Sequence, residues 1–132
     1  MATIPENFLD LLTVKKAFAN IASVMKDGSP QVTPVWFDYV DGKIRVNTAR
    51  GRVKARTLHA GARVAMAIVD PDDPYRYLQV RGLVLNVTEE GADAHIDSLA
   101  KKYLGQDKYP FRQPGEARVR CEIEPTSAQG MG

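Results

Sequence analysis

Four cations stand within the seven residues from Arg50 to Arg56, where a strand pattern gives way to a helix pattern. A helix N-terminus carries roughly half a positive charge, and Arg52 with Arg56 at i,i+4 adds a repulsion of about 0.2–0.5 kcal/mol. A bound anion would offset this repulsion, because backbone N–H groups and basic side chains converge on it. The segment predicts a phosphate site, with a solvated basic turn as the alternative.

Other residue types that carry chemistry form no recognisable set in this sequence. Cys121 alternates with charged residues beside Val119 and Ile123, a pattern typical of an inert core thiol. His59 and His95 fall near a helix end and on an amphipathic helix, and both are expected to be ordinary surface or boundary histidines. With no catalytic triad, paired-carboxylate site, P-loop or dinucleotide motif, we expect no catalytic side chain.

Length and composition restrict the class of protein. The 132 residues, with 44% hydrophobic content, predict a single domain spanning 1–132. A net charge of +2 is too balanced for a protein that coats nucleic acid or an anionic membrane. One cysteine and two histidines exclude an internal disulfide and predict no metal site. The absence of a leader pattern and of a long apolar run predicts a cytoplasmic protein that does not enter a membrane.

The first half of the chain predicts a short helix followed by strands. Pro5 to Leu12 places its apolar residues on one side, as a short amphipathic helix does. Residues 17–25 and 32–40 predict a hairpin, since the intervening Lys26 to Pro30 has strong turn chemistry. The Asp41-Gly42 turn then leads to a strand over 44–48, which completes a predicted three-stranded meander.

The second half predicts longer strands and one clear helix. Strands are expected over 63–69, 75–87 and 118–124, with Gly82 marking a bulge in the second. Apolar residues at helical spacing follow Thr88 and stop before Gly105. Six strands without a βαβ rhythm predict a mainly β fold with appended helices, an antiparallel six-stranded β-barrel.

Several segments together resemble the pyridoxamine 5'-phosphate oxidase-like split β-barrel superfamily. They are residues 30–37, 46–48, 50–58 and 63–66, and the most specific part is Arg52-x-Lys54-x-x-x-Leu58 directly after a strand that ends in Asn-Thr. Within this superfamily the chain is most similar to short proteins that use the deazaflavin coenzyme F420 in place of flavin mononucleotide (FMN). The resemblance covers nearly the whole chain.

The resemblance implies a homodimer in which the cofactor lies in a groove between two barrels. It implies that Arg52 and Lys54 hold the cofactor phosphate and that Arg50 assists with an acidic tail. The implied cofactor-binding residues are Gln31, Thr33, Pro34, Val35, Asn47, Thr48, Arg50, Arg52, Val53 and Lys54. Trp36 and Tyr75 are the aromatic residues that we expect in the substrate cavity, although core packing also accounts for either.

The resulting functional hypothesis is an F420-dependent oxidoreductase. It transfers a hydride between the coenzyme and a small unsaturated or electron-poor organic substrate, so the cofactor supplies the chemistry and the protein supplies binding and orientation. An FMN-binding oxidoreductase of the same fold is the first alternative, because one phosphate on Arg52 and Lys54 suits either cofactor. A non-catalytic F420 or FMN carrier protein is the second.

Overall fold

The computed structural model describes residues 2–132 and is mainly β. The strands are β1 (Ala19–Val24), β2 (Pro30–Val35), β3 (Phe37–Val40), β4 (Lys43–Ala49), β5 (Arg63–Asp70), β6 (Asp73–Thr88) and β7 (Arg118–Met131). The helices are a 3₁₀ turn (Glu6–Phe8), α1 (Asp10–Thr13), α2 (Val53–Thr57) and α3 (Ala92–Leu104).

The strands form one curled antiparallel sheet in the order β2-β1-β5-β6-β7-β4-β3. The predicted mainly β antiparallel barrel with appended helices is confirmed, with seven strands in place of six. The additional strand arises because the predicted strand over 32–40 is divided at Trp36. Its two parts pair with β1 and β4 at opposite ends of the strand order, so the predicted three-stranded meander is wrong.

Side chains of α3 contact the backbone just after this division. The Lys102 ammonium donates a hydrogen bond of 2.9 Å to the carbonyl oxygen of Phe37, and the backbone N–H of Phe37 donates to the Tyr103 hydroxyl at 3.3 Å. Polar groups of a helix far along the chain thus satisfy the backbone where β2 ends and β3 begins. Short-range alternation in the sequence gives no sign of these partners.

The core lies on the inner face of the curled sheet. Buried residues alternate along β4 and β5, as expected for strands with one face toward a core. The largest fully buried side chains include Leu11, Leu12, Phe37, Ile44, Leu58, Met66, Ile68, Leu78 and Ile123. Cys121 is fully buried, and burial raises the pKa of its thiol to about 11, so the prediction of an inert core thiol is confirmed.

The two longest strands, β6 and β7, pair over most of their length. The predicted bulge is present, since the register shifts between Arg81 and Gly82. β7 continues to Met131, well beyond the predicted end at Glu124. The bulge accommodates Pro125, which has no N–H for the ladder and pairs in register with Gly82.

The helix boundaries also differ from the sequence prediction. The predicted helix over 5–12 is divided into the 3₁₀ turn and α1, and Arg76 fixes this segment through a 2.6 Å contact with Asp10. The hydroxyl of Thr88 accepts a hydrogen bond from the N–H of Glu90 at 3.0 Å, which forms a turn, and α3 begins later, at Ala92. Its predicted glycine C-cap is present at Gly105, with φ of 71°.

Candidate functional site

The basic segment leads from the end of β4 into α2, and three of its four cations, Arg50, Arg52 and Lys54, lie in different surroundings. Arg50 is exposed and forms a 2.7 Å ion pair with Glu89, and Arg52 lies 3.4 Å from Glu116. Lys54 is half-buried, and within residues 2–132 its ammonium forms no hydrogen bond or ion pair.

Arg52 and Lys54 line a cleft of about 220 Å³ between α3, the outer face of β4 and β7, and the loop that precedes β7. The other lining residues are Pro34, Val35, Trp36, Asn47, Ile96, Leu99, Tyr109, Phe111 and Arg118. Cationic side chains therefore line one part of the cleft, and apolar and aromatic side chains line most of the rest. Such a mixture is typical of sites that hold a ring system with a charged substituent.

The electrostatics of the cleft favour an anion. Burial is the main cause that lowers the pKa of Lys54, and the nearby charges of Arg52 and Arg118 lower it further. Three positive groups thus surround a space in which Glu116 is the acidic partner, 3.4 Å from Arg52 and 3.2 Å from Arg118. A phosphate or carboxylate beside Lys54 would supply the counter-charge that it lacks.

Arg118 is a site residue that sequence reasoning did not identify. Its side chain is buried, its Nε donates a 2.8 Å hydrogen bond to Oδ1 of Asn47, and its guanidinium lies 5.1 Å from the centre of the Tyr109 ring. Its buried Nη1 lies 3.2 Å from Oε1 of Glu116 in an ion pair and forms no hydrogen bond within residues 2–132. In the sequence, Arg118 is one charge in an alternating strand, and only the pairing of β7 with β4 places it opposite Ala49 at the cleft.

Asn47 connects the cleft to a buried polar network on α3 and β3. Its Nδ2 donates to the carbonyl oxygen of Ala92 at 2.9 Å and lies 3.1 Å from Nδ1 of His95. The other ring nitrogen of His95 lies 3.4 Å from Asp38, which also accepts hydrogen bonds of 2.8 and 2.7 Å from Arg45. Burial would raise the pKa of Asp38, but the hydrogen bonds from Arg45 and His95 outweigh it and lower that pKa to about 2.

The prediction that His95 is a surface or boundary residue is wrong. It is buried between the outer face of the sheet and α3, and both of its ring nitrogens have partners. The helical spacing of α3 did not reveal this, because a polar residue on an amphipathic helix ordinarily faces water. Here it faces the sheet because Asn47 and Asp38 supply polar partners there.

Aromatic side chains form one wall of the cleft. Trp36 stacks on Tyr103, with ring centres 5.3 Å apart and planes 6° apart, and Tyr109 meets Trp36 edge-on at 6.0 Å. Phe111 in turn lies 5.7 Å from Tyr109 and is exposed. Tyr109 and Phe111 were not predicted, because they come from a loop in which no periodicity marks a buried face.

The loop that carries Tyr109 and Phe111 is attached to α3 through Asp97. The Asp97 carboxylate accepts hydrogen bonds from the N–H of Tyr109 at 2.8 Å and from Arg112 at 2.7 Å. Burial would raise the pKa of Asp97, but these donors, with the charge of Lys108, lower it. A carboxylate that stays ionised thus holds the aromatic wall in place over the neutral pH range.

The predicted site residues fall into two groups in the structure. Those that line the cleft are Pro34, Val35, Trp36, Asn47, Arg52 and Lys54. Those that do not line it are Gln31, Thr33, Thr48, Arg50, Val53 and Tyr75. The functional roles of both groups stay predictions.

The residues outside the cleft have identifiable positions. Thr48 is buried, and the hydroxyl oxygens of Thr33 and Thr48 have no hydrogen-bond partner in the described part of the chain, residues 2–132. Val53 faces a second cleft beyond α2. Tyr75 is 84% exposed near the start of β6, beside the backbone of Gly132.

Two further structural findings concern metals and membranes. Across residues 2–132 there is no group of three or more His, Cys, Asp or Glu side chains that could hold a metal ion. In the same part of the chain, no helix combines the length and apolar character that crossing a bilayer requires.

The curled antiparallel sheet with a cationic cleft at the end of β4 defines a split-barrel protein. The family model described as pyridoxamine 5'-phosphate oxidase matches residues 4–132, and the chain belongs to this family. No functionally curated protein matches the chain.

Solved structures share this fold. A structure named F420 reductase is 34% identical, with a TM-score of 0.82, and the match covers 96% of this chain and 98% of that one. The conserved hypothetical protein Rv2991 from Mycobacterium tuberculosis is 20% identical, with a TM-score of 0.73 and coverage of 99% and 86%. An FAD and heme binding protein from Mycobacterium smegmatis is 19% identical, with a TM-score of 0.70 and coverage of 98% and 71%. The last two similarities concern the fold alone.

Proposed function

We propose that this protein is an F420-dependent oxidoreductase that transfers a hydride between the deazaflavin coenzyme and a small unsaturated or electron-poor organic substrate. Membership of the pyridoxamine 5'-phosphate oxidase family supports an oxidoreductase that works with a flavin-type ring. The 34% identical structure named F420 reductase supports the deazaflavin in particular.

The observation that carries the proposal is the environment of Lys54. Its ammonium is partly desolvated between Arg52 and Arg118 and has no anionic partner within residues 2–132. This arrangement opposes folding, since burial and like charges both disfavour the charged amine. A cofactor phosphate would reverse the effect, because it would accept charge-assisted hydrogen bonds from these cations.

The rest of the cleft fits a flat ring beside that phosphate. Pro34 has no N–H to pair with another strand, so a ring can approach the exposed edge of β2 there. Trp36, Tyr109 and Phe111 offer aromatic surface for the cofactor or for a planar substrate. When bound, a reduced deazaflavin supplies the hydride; the protein's task is to orient ring and substrate and to exclude water.

We also propose that a second copy of the chain completes the site. At about 220 Å³, the cleft is smaller than the roughly 300 Å³ at the lower end of small-molecule sites. The outer face of β2, β1 and β5 adjoins the cleft at Pro34 and carries an exposed apolar patch. The patch consists of Val32, which is 64% exposed, the small Ala22 opposite it, and the exposed Pro34. A homodimer formed through this patch would bring a partner's residues to the open side of the cleft.

The test of the dimer is the substitution Val32→Glu. Light scattering across a dilution series should show a dimer for the native protein and a monomer for the variant, with weaker cofactor binding in the monomer. Val40→Glu is the matched control, because Val40 is also an exposed strand valine but lies on β3, at the other end of the strand order. A monomeric native protein with full cofactor affinity would contradict the proposed dimer.

The test of the cofactor is a pair of binding titrations, one with F420 and one with FMN. We expect F420 to bind more tightly, and Lys54→Ala to weaken binding by at least about 1.5 kcal/mol through loss of a charge-assisted hydrogen bond. Tighter binding of FMN would favour the FMN-dependent alternative. If Lys54→Ala bound the cofactor with unchanged affinity, the proposed phosphate site would be refuted.

An activity assay separates the enzyme from a carrier. The reduced cofactor, bound to the protein, should be oxidised by at least one member of a panel of enones, quinones and nitro compounds. Tight binding with no turnover across the panel would favour the non-catalytic carrier. The cytoplasm remains the proposed compartment.

A further inference from the structure

A second cleft, larger than the first, lies on the opposite side of α2. Its volume is about 770 Å³, and three parts of the chain form it: the end of β1 with the turn that follows, α2, and the connection from α2 to β5. Its lining residues are Val24, Met25, Lys26, Val53, Arg56, Thr57, His59, Ala62 and Arg63. The proposed hydride transfer does not use this cleft, and Val53 is the one lining residue that the family resemblance assigns to the cofactor.

The lining combines an apolar surface with unpaired positive charge. Val24, Met25 and Val53 provide apolar groups, and the hydroxyl of Thr57 is already bonded to the hydroxyl of Ser23 at 2.8 Å. The polar group beneath the cleft is thus satisfied within the protein, so the interior favours an apolar occupant.

Three cations stand around this apolar surface. Within residues 2–132 the side chains of Lys26, Arg56 and Arg63 form no ion pair or hydrogen bond, and no acidic residue lines the cleft. By contrast, Arg45, Arg50, Arg76 and Arg112 each have a carboxylate partner. The cations of the second cleft are therefore available to an anion from outside the chain.

We propose that the second cleft is a binding site for an amphipathic organic anion, a molecule with an apolar ring or chain and one carboxylate or sulfonate group. Charge complementarity selects the anionic group, which Arg56 and Arg63 bind as planar donors, with Lys26 as a point charge. The apolar body lies against Val24, Met25 and Val53. At about 770 Å³, the cleft is within the range of roughly 300–1,000 Å³ for small-molecule sites.

The test uses 1-anilinonaphthalene-8-sulfonate and its uncharged analogue N-phenyl-1-naphthylamine, which share an apolar body and fluoresce in apolar surroundings. On the folded protein without cofactor, we expect saturable binding of one sulfonate probe per chain, at least tenfold tighter than that of the uncharged analogue. Arg56→Gln combined with Arg63→Gln should weaken sulfonate binding at least tenfold. The control variant, Lys16→Gln combined with Lys43→Gln, removes the same amount of charge elsewhere. It should change the affinity for the sulfonate probe less than twofold.

Amide chemical shifts locate the bound probe. We expect the largest shifts at Met25, Val53, Arg56 and Arg63, and small shifts at Trp36 and Arg118 in the first cleft. Equal binding of the two probes, equal binding by the two double variants, or shifts confined to the first cleft would overturn the proposal. So would probe-induced dissociation of a dimer in light scattering, because the cleft would then be covered by a second copy. The measurement needs no cofactor, so its outcome is independent of the proposed hydride transfer.

Discussion

The Nε of Arg118 donates a 2.8 Å hydrogen bond to Oδ1 of Asn47, and this bond fixes which way the Asn47 amide points. With Oδ1 turned toward Arg118, Nδ2 is turned toward Ala92 and His95. The cationic cleft is thereby connected to the buried network around Asp38. The position of a guanidinium in the proposed cofactor site depends on side chains that lie behind it.

The amide orientation determines the tautomer of neutral His95. Because Nδ2 of Asn47 is a donor, Nδ1 of His95 must be an acceptor, and the ring proton resides on Nε2, toward Asp38. Long-range ¹H–¹⁵N spectra at pH 8 should show the Nε2–H form of His95. The imidazole signals of the exposed His59 serve as an internal reference for those of His95 in the same spectrum. A dominant Nδ1–H form would contradict the orientation of Asn47.

Replacing Lys54 should affect stability and binding in opposite directions. The pKa of Lys54 is lowered by burial first and by Arg52 and Arg118 next, so the charged amine opposes folding near neutral pH. We expect Lys54→Met to stabilise the cofactor-free protein by a few tenths to about 1 kcal/mol, since solvent screens part of the effect. The same variant should bind F420 at least tenfold more weakly.

Urea unfolding at several pH values tests the first half of this prediction. A lysine with a lowered pKa in the folded state makes the native protein more stable as the pH rises toward 10.5, the ordinary lysine pKa. That part of the pH dependence should disappear in Lys54→Met. It should persist in Lys43→Met, which removes a lysine of β4 that does not line the cleft. Destabilisation of Lys54→Met at neutral pH would refute the prediction.

Asp38 should contribute to stability at neutral pH and lose that contribution in acid. Its folded-state pKa of about 2 lies below the ordinary value of 3.8, so the ionised carboxylate stabilises the fold above pH 3.8. This stabilisation, on the order of 2 kcal/mol, decreases as the pH falls from about 5 toward 2. The free-energy difference between the native protein and Asp38→Asn should shrink over the same range.

Chemical unfolding of both proteins at a series of acidic pH values measures this difference. Asp107→Asn is the control, because the Asp107 side chain is 88% exposed and, among residues 2–132, pairs only with Lys101 at 3.2 Å. Its difference from the native protein should stay near zero throughout. A constant difference for Asp38→Asn would mean that Asp38 is not ionised against Arg45 and His95 in the folded protein.

Gly130 should not tolerate a side chain. A Cβ at this position would overlap the ring of Phe8, which is buried in the 3₁₀ turn against β7. We expect Gly130→Ala to destabilise the protein by about 1–3 kcal/mol through overpacking. Thermal unfolding measures the loss, and alanine at the exposed neighbour Gln129 should be close to neutral. An unchanged melting temperature for Gly130→Ala would show that Phe8 packs elsewhere.

Local sequence signals predicted most of the elements, and five of the ten cofactor-binding residues implied by the family resemblance line the cleft. The Asp41-Gly42 turn, the bulge at Gly82 and the C-cap at Gly105 depend on neighbouring residues only, and each is present. Arg52 and Lys54 line the cleft for a similarly local reason, since Arg52 immediately precedes α2 and Lys54 lies in its first turn, directly after β4.

Contacts between distant parts of the chain were not predicted from the sequence. Trp36 divides a strand because side chains of α3 satisfy the backbone after it. Arg118 reaches the cleft through the register between β7 and β4, and His95 is buried because Asn47 and Asp38 face it. Tyr109 joins the wall through its bond to Asp97.

The sequence by itself determined the class of fold and the cationic turn, because periodicity, glycines and charge spacing act over a few residues. Only the tertiary structure decided which cations converge, which histidine is buried and which aromatic residues enclose the cleft. These outcomes depend on strand register and on packing between residues far apart in the chain, and neither quantity is encoded in local spacing.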